Sequence, residues 1–197
     1  MWPNEHPNLS ETAQSSALDS GWPPAEEVIR TAQGGDRQGQ RRLYDACRER
    51  VYRLAYRMIG PDDAADVSQQ TFLQVFRNIT QFAGQSRFET WLFRIVLNEC
   101  FQLRRRRARR PAYSLCVDVM DHEPGQERST DASDLLEMAL LQLDPDLRSI
   151  FLLREIEHLG YEAIGEALGI PAGTVASRLN RARRELQGIL IALGWEP

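Results

Sequence analysis

The chain has 197 residues, 42% of them hydrophobic, and a formal net charge of −4. That length and apolar content suit one ordinary domain or two small ones with packed cores, and they exclude a wholly disordered chain and one that is basic over its whole surface. No run of eighteen apolar residues occurs and the first residues lack the basic-then-apolar order of a secretory signal, so direct membrane insertion is not expected and the chain is read as cytoplasmic.

Residues 1–24 are rich in Pro, Ser and Asn and read as a disordered tail. A first domain, residues 25–111, is helical throughout. Leu43, Cys47, Val51, Leu54, Ala55 and Met58 recur at steps of three and four, and the stripe stops at "GPDD", Gly60 to Asp63. The next helix carries Val67, Thr71, Phe72, Val75, Phe76 and Ile79 inward. "FAGQSR", Phe82 to Arg87, reads as a loop. Phe88, Trp91, Leu92, Ile95, Val96 and Leu103 then form a helix that runs into "RRRRARR", Arg104 to Arg110, and halts before Pro111. Residues 112–133 lack periodicity and are acidic, which marks a flexible linker. A second domain, residues 134–193, opens with Leu135, Leu136, Met138, Ala139, Leu140 and Leu143, closed by Asp144-Pro145; Leu147, Ile150, Phe151, Leu153 and Ile156 make the following helix. The fold class is therefore all-α: two helical domains on a flexible acidic linker.

The end of the second domain is the most informative stretch. "YEAIGEAL" is a short helix, "GI" a turn, and a longer helix starts around Pro171, which a first turn tolerates. This is helix-turn-helix spacing. In the longer helix Val175, Leu179, Ala182, Leu186 and Ile189 share one side, while Ser177, Arg178, Arg181 and Arg184 face outward. A recognition helix enters the major groove N-terminus first, so Thr174, Ser177, Arg178, Asn180, Arg181 and Arg184 are the candidates for DNA contact. Arginine chelates guanine and asparagine chelates adenine, each good pair discriminating by about 1–3 kcal/mol.

Charge is unevenly spread. Arg94 to Arg110 holds seven arginines and one acid, whereas Val117 to Asp146 holds nine acids and one arginine. Like charges repel along an isolated helix, so Arg104, Arg105, Arg106 and Arg107 point to a polyanion such as a phosphate backbone. No catalytic constellation, P-loop or metal-ligand spacing is visible, so neither an enzyme nor a cofactor or metal is expected. Cys47 and Cys100 read as buried thiols and Cys116 as a linker residue.

"LRSIFLLREIEHLGYEAIGEALGIPAGTVASRLNRARREL", Leu147 to Leu186, resembles the region 4 helix-turn-helix of bacterial RNA polymerase sigma factors of the extracytoplasmic-function (ECF) group, and the GTV-x-SR-x-x-RAR run carries most of that likeness. The other half agrees: "DVSQQTFLQVF", Asp66 to Phe76, resembles the family's region 2.2, and "FETWLFRIVLNECFQLRRRRAR", Phe88 to Arg109, its region 2.4. The resemblance implies that Asp66, Gln69 and Gln70 dock on core RNA polymerase, with Phe72 in the core and Gln70 where members usually carry Glu. It implies that Gln85 and Ser86, with Phe82 and Phe88 as walls or core, belong to the loop that captures a flipped base of the minus-ten element. The recognition helix would read the minus-thirty-five element. Core RNA polymerase, promoter DNA and an anti-sigma protein are the implied partners. The alternative is an autonomous helix-turn-helix regulator that binds palindromic half-sites as a dimer.

Overall fold

The computed structural model describes residues 22–109 and 132–195. Among these residues every regular element is helical, as the periodicity requires: α1 (Glu26–Gln33), α2 (Arg37–Ile59), α3 (Pro61–Asn78), a 3₁₀ turn (Ile79–Gln81) and α4 (Phe88–Arg109), then α5 (Ala132–Gln142), α6 (Pro145–Phe151), a π turn (Leu152–Ile156), α7 (Tyr161–Leu168) and α8 (Ala172–Ala192). Cys116 and most of the expected linker lie outside the described residues.

Local chemistry sets the boundaries. Asp36 caps α2, its carboxylate accepting from the Gly39 amide at 2.6 Å. A Cβ on Gly39 would meet the Thr31 backbone at 2.8 Å, so α1 and α2 cross closely only because that side chain is absent. Gly60, at φ 87°, ends α2, and Pro61 starts α3 with Asp62 and Asp63 in the first turn, where acids offset the helix dipole. Asp144 caps α6 by accepting from the Asp146 and Leu147 amides, with Pro145 at the first helical position.

Three boundaries or faces differ from the sequence reading. Trp22 falls within the expected tail yet packs on the core, its ring centroid 5.7 Å from that of Phe93. Helix α5 begins at Ala132 and takes the last two residues of the expected linker. Met138, placed inward by periodicity, is 51% exposed, because α5 presents Ala139 and Leu140 to the core and periodicity alone does not fix where a stripe is centred.

The two halves also do more than sit on a tether. Helix α2 packs on α5 and α6, α4 packs on α7, and a single apolar cluster runs from Leu43, Val51 and Leu97 into Leu140, Ile150, Leu153 and Ile164. Polar contacts cross the same seam. Arg57 of α2 meets Glu137 of α5 at 2.8 Å, and Arg50 meets Glu157, just beyond the π turn, at 3.0 Å. Burial raises the Glu157 carboxyl above the usual carboxylate range, against the opposing charges of Arg50, Arg53 and Arg57.

Arg148, only 5% exposed, is the most unusual residue of the seam. Its guanidinium donates to the carbonyls of Leu141 at 2.5 Å, Leu143 at 2.8 Å and, across the seam, Met58 at 2.5 Å. These carbonyls belong to the C-terminal ends of α5 and α2, where oxygens lack intrahelical partners and the dipole is negative. One cation thus caps two helices from opposite halves of the chain, which explains a buried arginine with no carboxylate bonded to it. Desolvation pushes its pKa down to about 10, still well above neutrality, so it remains charged.

Candidate nucleic-acid interface

The helix-turn-helix is built on close backbone approach. Gly169 sits in the left-handed region at φ 69°, and the Ile170 amide bonds back to the Gly165 carbonyl at 2.9 Å. Gly165 is buried, and a Cβ there would lie 2.6 Å from the Ile170 carbonyl oxygen. The sequence reading identified the turn glycine but missed this second one, which lets α7 press against the start of α8. Pro171 caps α8 rather than opening it, one residue before the first helical position.

Along α8, Val175, Leu179, Ala182 and Leu186 are buried and Ile189 is half-buried, so the inner face is as read. Ser177, Asn180, Arg181 and Arg184 are exposed; Thr174 and Arg178 are half-buried at the edge of that face. The Ser177 hydroxyl donates to the Thr174 carbonyl at 3.0 Å, holding two candidate contacts together near the helix N-terminus. Arg181 pairs with Glu185 at 2.6 Å, an exposed i, i+4 bridge that a phosphate or a base edge can displace, since solvent and salt screen it. The remaining arginine of the run, Arg183, is half-buried and donates from Nε and Nη2 to Glu155 at 3.2 and 2.6 Å. It holds α8 to the π turn instead of facing outward with its neighbours.

Helix α3 presents the second surface. Asp66, Gln69 and Gln70 are exposed at i, i+3 and i+4, while Phe72 is buried and packs its ring at a tilt against that of Tyr44, with centroids 4.6 Å apart. Leu73 continues the exposed row at 44% exposure. Sequence reasoning missed it; the signal was its spacing of seven from Asp66, two turns along the same face.

The loop before α4 carries Gln85, exposed, and Ser86, half-buried, beyond Gly84 at φ 68°. Behind it stand Phe82, Phe88 and Trp91, with centroids 5.2 to 5.7 Å apart. Phe88 is buried, whereas Phe82 and Trp91 are half-buried, so these rings both anchor the loop and leave an aromatic edge in solvent. The Gln33 amide donates to the Ile79 and Phe82 carbonyls at 3.2 and 2.7 Å, pinning the chain where it enters the loop.

At the end of α4, Arg104, Arg105, Arg106 and Arg107 are all exposed, and their charge suits the negative end of the helix dipole. Arg107 also donates to the buried Asp63 at 2.6 Å, tying the end of α4 to the start of α3. That pair gives Arg107 a structural partner that the other three lack among the hydrogen bonds and ion pairs described. Among the described residues no cluster of His, Cys, Asp and Glu is placed to hold a metal ion, and no helix is long and apolar enough to cross a membrane.

Comparison with known proteins adds a further set of findings. Residues 43–110 match the model for Sigma-70 region 2 and residues 133–186 that for Sigma-70, region 4. The chain is 41% identical over 149 residues to the ECF RNA polymerase sigma factor SigE of Mycolicibacterium smegmatis, covering 72% of this chain and 58% of that one. It is 30% identical over 175 residues to the ECF sigma factor SigW of Bacillus subtilis, covering 81% and 92%. To the ECF sigma-E factor of Escherichia coli it is 31% identical over 172 residues, covering 81% and 90%. Among solved structures, RpoE in complex with the anti-sigma factor NepR from Bartonella quintana superposes with a TM-score of 0.64 at 27% identity, covering 76% of this chain and 95% of that one. CnrH in complex with the cytosolic domain of CnrY shares the fold, with a TM-score of 0.63 at 23% identity and coverage of 84% and 96%.

Proposed function

The chain belongs to the extracytoplasmic-function group of RNA polymerase sigma factors, and from that premise we propose how its surfaces divide the work of promoter recognition. It directs core RNA polymerase to specific promoters and has no enzymatic activity of its own. The first half docks on polymerase through the Asp66, Gln69, Gln70 and Leu73 row. Gln85 and Ser86 take a base of the minus-ten element against the Phe82 edge, and Arg104, Arg105, Arg106 and Arg107 hold its phosphates. The second half reads the minus-thirty-five element as duplex through Thr174, Ser177, Arg178, Asn180, Arg181 and Arg184. The protein works in the cytoplasm, and a partner anti-sigma protein, of the kind found with the Bartonella relative, holds it inactive.

The observation that supports this reading best is the agreement of two separate surfaces: a polar row on α3 and an arginine-bearing outer face on α8, each inside its own matched region and in the family's order. Two weak sites on one molecule gain effective concentration once polymerase fixes their spacing. The test combines this protein with bacterial core polymerase and a promoter library. Specific start sites that require both components support the reading; tight specific binding to a palindrome without polymerase would instead favour the dimeric regulator. Charge reversal at Arg178 and Arg181 is expected to abolish promoter-directed RNA while leaving core polymerase binding intact, and unaltered RNA synthesis would overturn the assignment of α8.

A further inference from the structure

The C-terminal ends of α2, α4 and α5 and the first turns of α3 and α6 enclose a cleft of about 370 Å³. Met58, Ile59, Leu103 and Pro145 give it apolar walls, and its charged groups are Arg104, Arg107 and Arg148 against Asp63 and Asp144. Both carboxylates are already engaged: Asp63 accepts from Arg107 at 2.6 Å, and Asp144 accepts from the Asp146 and Leu147 amides as the cap of α6. Three cations against two engaged carboxylates leave a positive surplus. Arg104 has neither hydrogen bond nor ion pair among the described residues, and the Arg107 side chain remains 61% exposed beside its Asp63 bond. Arg148 is the buried member of the three. Its terminal nitrogens hold three carbonyls, but its Nε–H, also buried, has no partner. Native structures pair nearly all buried donors, because water cannot reach one that the protein leaves alone, so this donor marks a place for an acceptor. Burial and then the nearby Arg104 charge lower the Arg148 pKa, and Asp144 offsets only part of that effect; an anion between the two guanidiniums would relieve their repulsion.

We propose that this cleft binds a small free anion of the phosphate class, such as inorganic phosphate, diphosphate or the phosphate end of a nucleotide, with Arg104 and Arg107 on its outer oxygens and the Arg148 Nε–H on an inner one. The volume lies at the small end of the roughly 300–1,000 Å³ usual for ligand pockets, which suits a compact ligand. Guanidinium groups present paired N–H donors that match phosphate oxygens, and the apolar walls lower the local dielectric, which strengthens each charged bond. Under the sigma factor reading, on which this consequence rests, Arg104 and Arg107 also belong to the row that holds the minus-ten phosphates. An anion in the cleft therefore competes with promoter DNA for both.

Calorimetric titration of the full-length chain with sodium diphosphate, at an ionic strength held constant with sodium chloride, tests the site without polymerase. Saturable binding of one diphosphate per chain is expected. Arg148 is kept, since it also caps two helices, and the charge test falls on Gln142, which is exposed, lines the cleft and lies outside the DNA-facing and polymerase-facing rows. Gln142→Glu should weaken binding by about 2- to 5-fold and Gln142→Arg should tighten it by a similar factor, the range of a solvent-screened ion pair. Helicity by circular dichroism confirms that each variant is folded. Heat that never saturates, or affinities that ignore the sign of the charge at position 142, would reduce the site to general attraction toward the arginine run and overturn it. A short single-stranded DNA in place of diphosphate separates the two sources of phosphate: if only the DNA responds to the Gln142 variants, the cleft takes backbone phosphate and the free-anion assignment is overturned. Holoenzyme binding to a minus-ten strand, measured without nucleotides, tests the competition. Diphosphate at ten times its Kd should weaken that binding by about tenfold for the parent, the mutual-exclusion factor 1 + [L]/Kd, and by only about three- to sixfold for Gln142→Glu. Saturable diphosphate binding with promoter binding unchanged would overturn the competition and keep the site. Holoenzyme that binds no promoter at all would refute the sigma factor reading and leave the site standing.

Discussion

Replacing Arg148 with alanine tests whether one buried cation holds the ends of two helices. The substitution leaves the carbonyls of Leu141, Leu143 and Met58 without their donor. Each buried acceptor so orphaned costs about 1–3 kcal/mol, but relief of the desolvated charge and entry of water into the vacated space offset part of the total. A net loss of about 3 kcal/mol is expected. With a urea slope of about 2 kcal/mol/M, the midpoint falls by about 1.5 M. Two of the three bonds lie within the second half, so most of the loss falls there. Arg148→Lys should recover a fraction, because an ammonium keeps the charge but cannot fork to three oxygens from one plane. Arg148→Met keeps most of the volume and should behave like alanine. The assay is urea unfolding of the full chain followed by circular dichroism and tryptophan fluorescence. A shift under about 0.3 M for alanine, or methionine as stable as arginine, would show that the site needs shape rather than capping, and the account of the seam would fail.

Other expectations are smaller in scope. Gly165→Ala places a methyl 2.6 Å from the Ile170 carbonyl oxygen, a backbone atom with little freedom to move. It should destabilise by about 2 kcal/mol and lower Tm by roughly 4–8 °C, and a Tm within a degree of the parent would mean that the turn has slack. Arg105→Ala and Arg106→Ala should each flatten the log–log salt dependence of holoenzyme binding to duplex DNA by about 0.9, without loss of stability. Arg107→Ala should flatten it too, but with a measurable fall in unfolding midpoint from the broken Asp63 pair. Equal stability across the three would deny Arg107 its structural part. Burial pushes the Cys47 and Cys100 thiols up to about 12, so in a Cys116→Ser chain neither should react with iodoacetamide at pH 8 until denaturant is added. Rapid native alkylation, read by mass spectrometry, would place one of them at a surface.

The sequence by itself determined the local structure of this protein. Periodicity set the helices and most of their buried faces, Gly60-Pro61 and Asp144-Pro145 set two of the breaks, and the polar row on α8 could be read because side chains three and four apart share a face in any α-helix. Both family regions were legible for the same reason, since each is a short run whose chemistry lies within one or two turns. Tertiary structure decided what depends on residues far apart in the chain. Arg50 with Glu157 and Arg148 with Met58 are pairs separated by 107 and 90 positions, and nothing local marks Arg148 as different from exposed arginines such as Arg105 or Arg184. Only packing shows that it faces two sets of orphan carbonyls, that Arg183 turns toward Glu155 while Arg181 and Arg184 face solvent, and that Gly165 is needed because the Ile170 oxygen occupies the space of a side chain. A stripe on one helix says that it has an inner face; which other helix supplies the partner is settled by burial over the whole chain, and here that burial closes the two halves on one another.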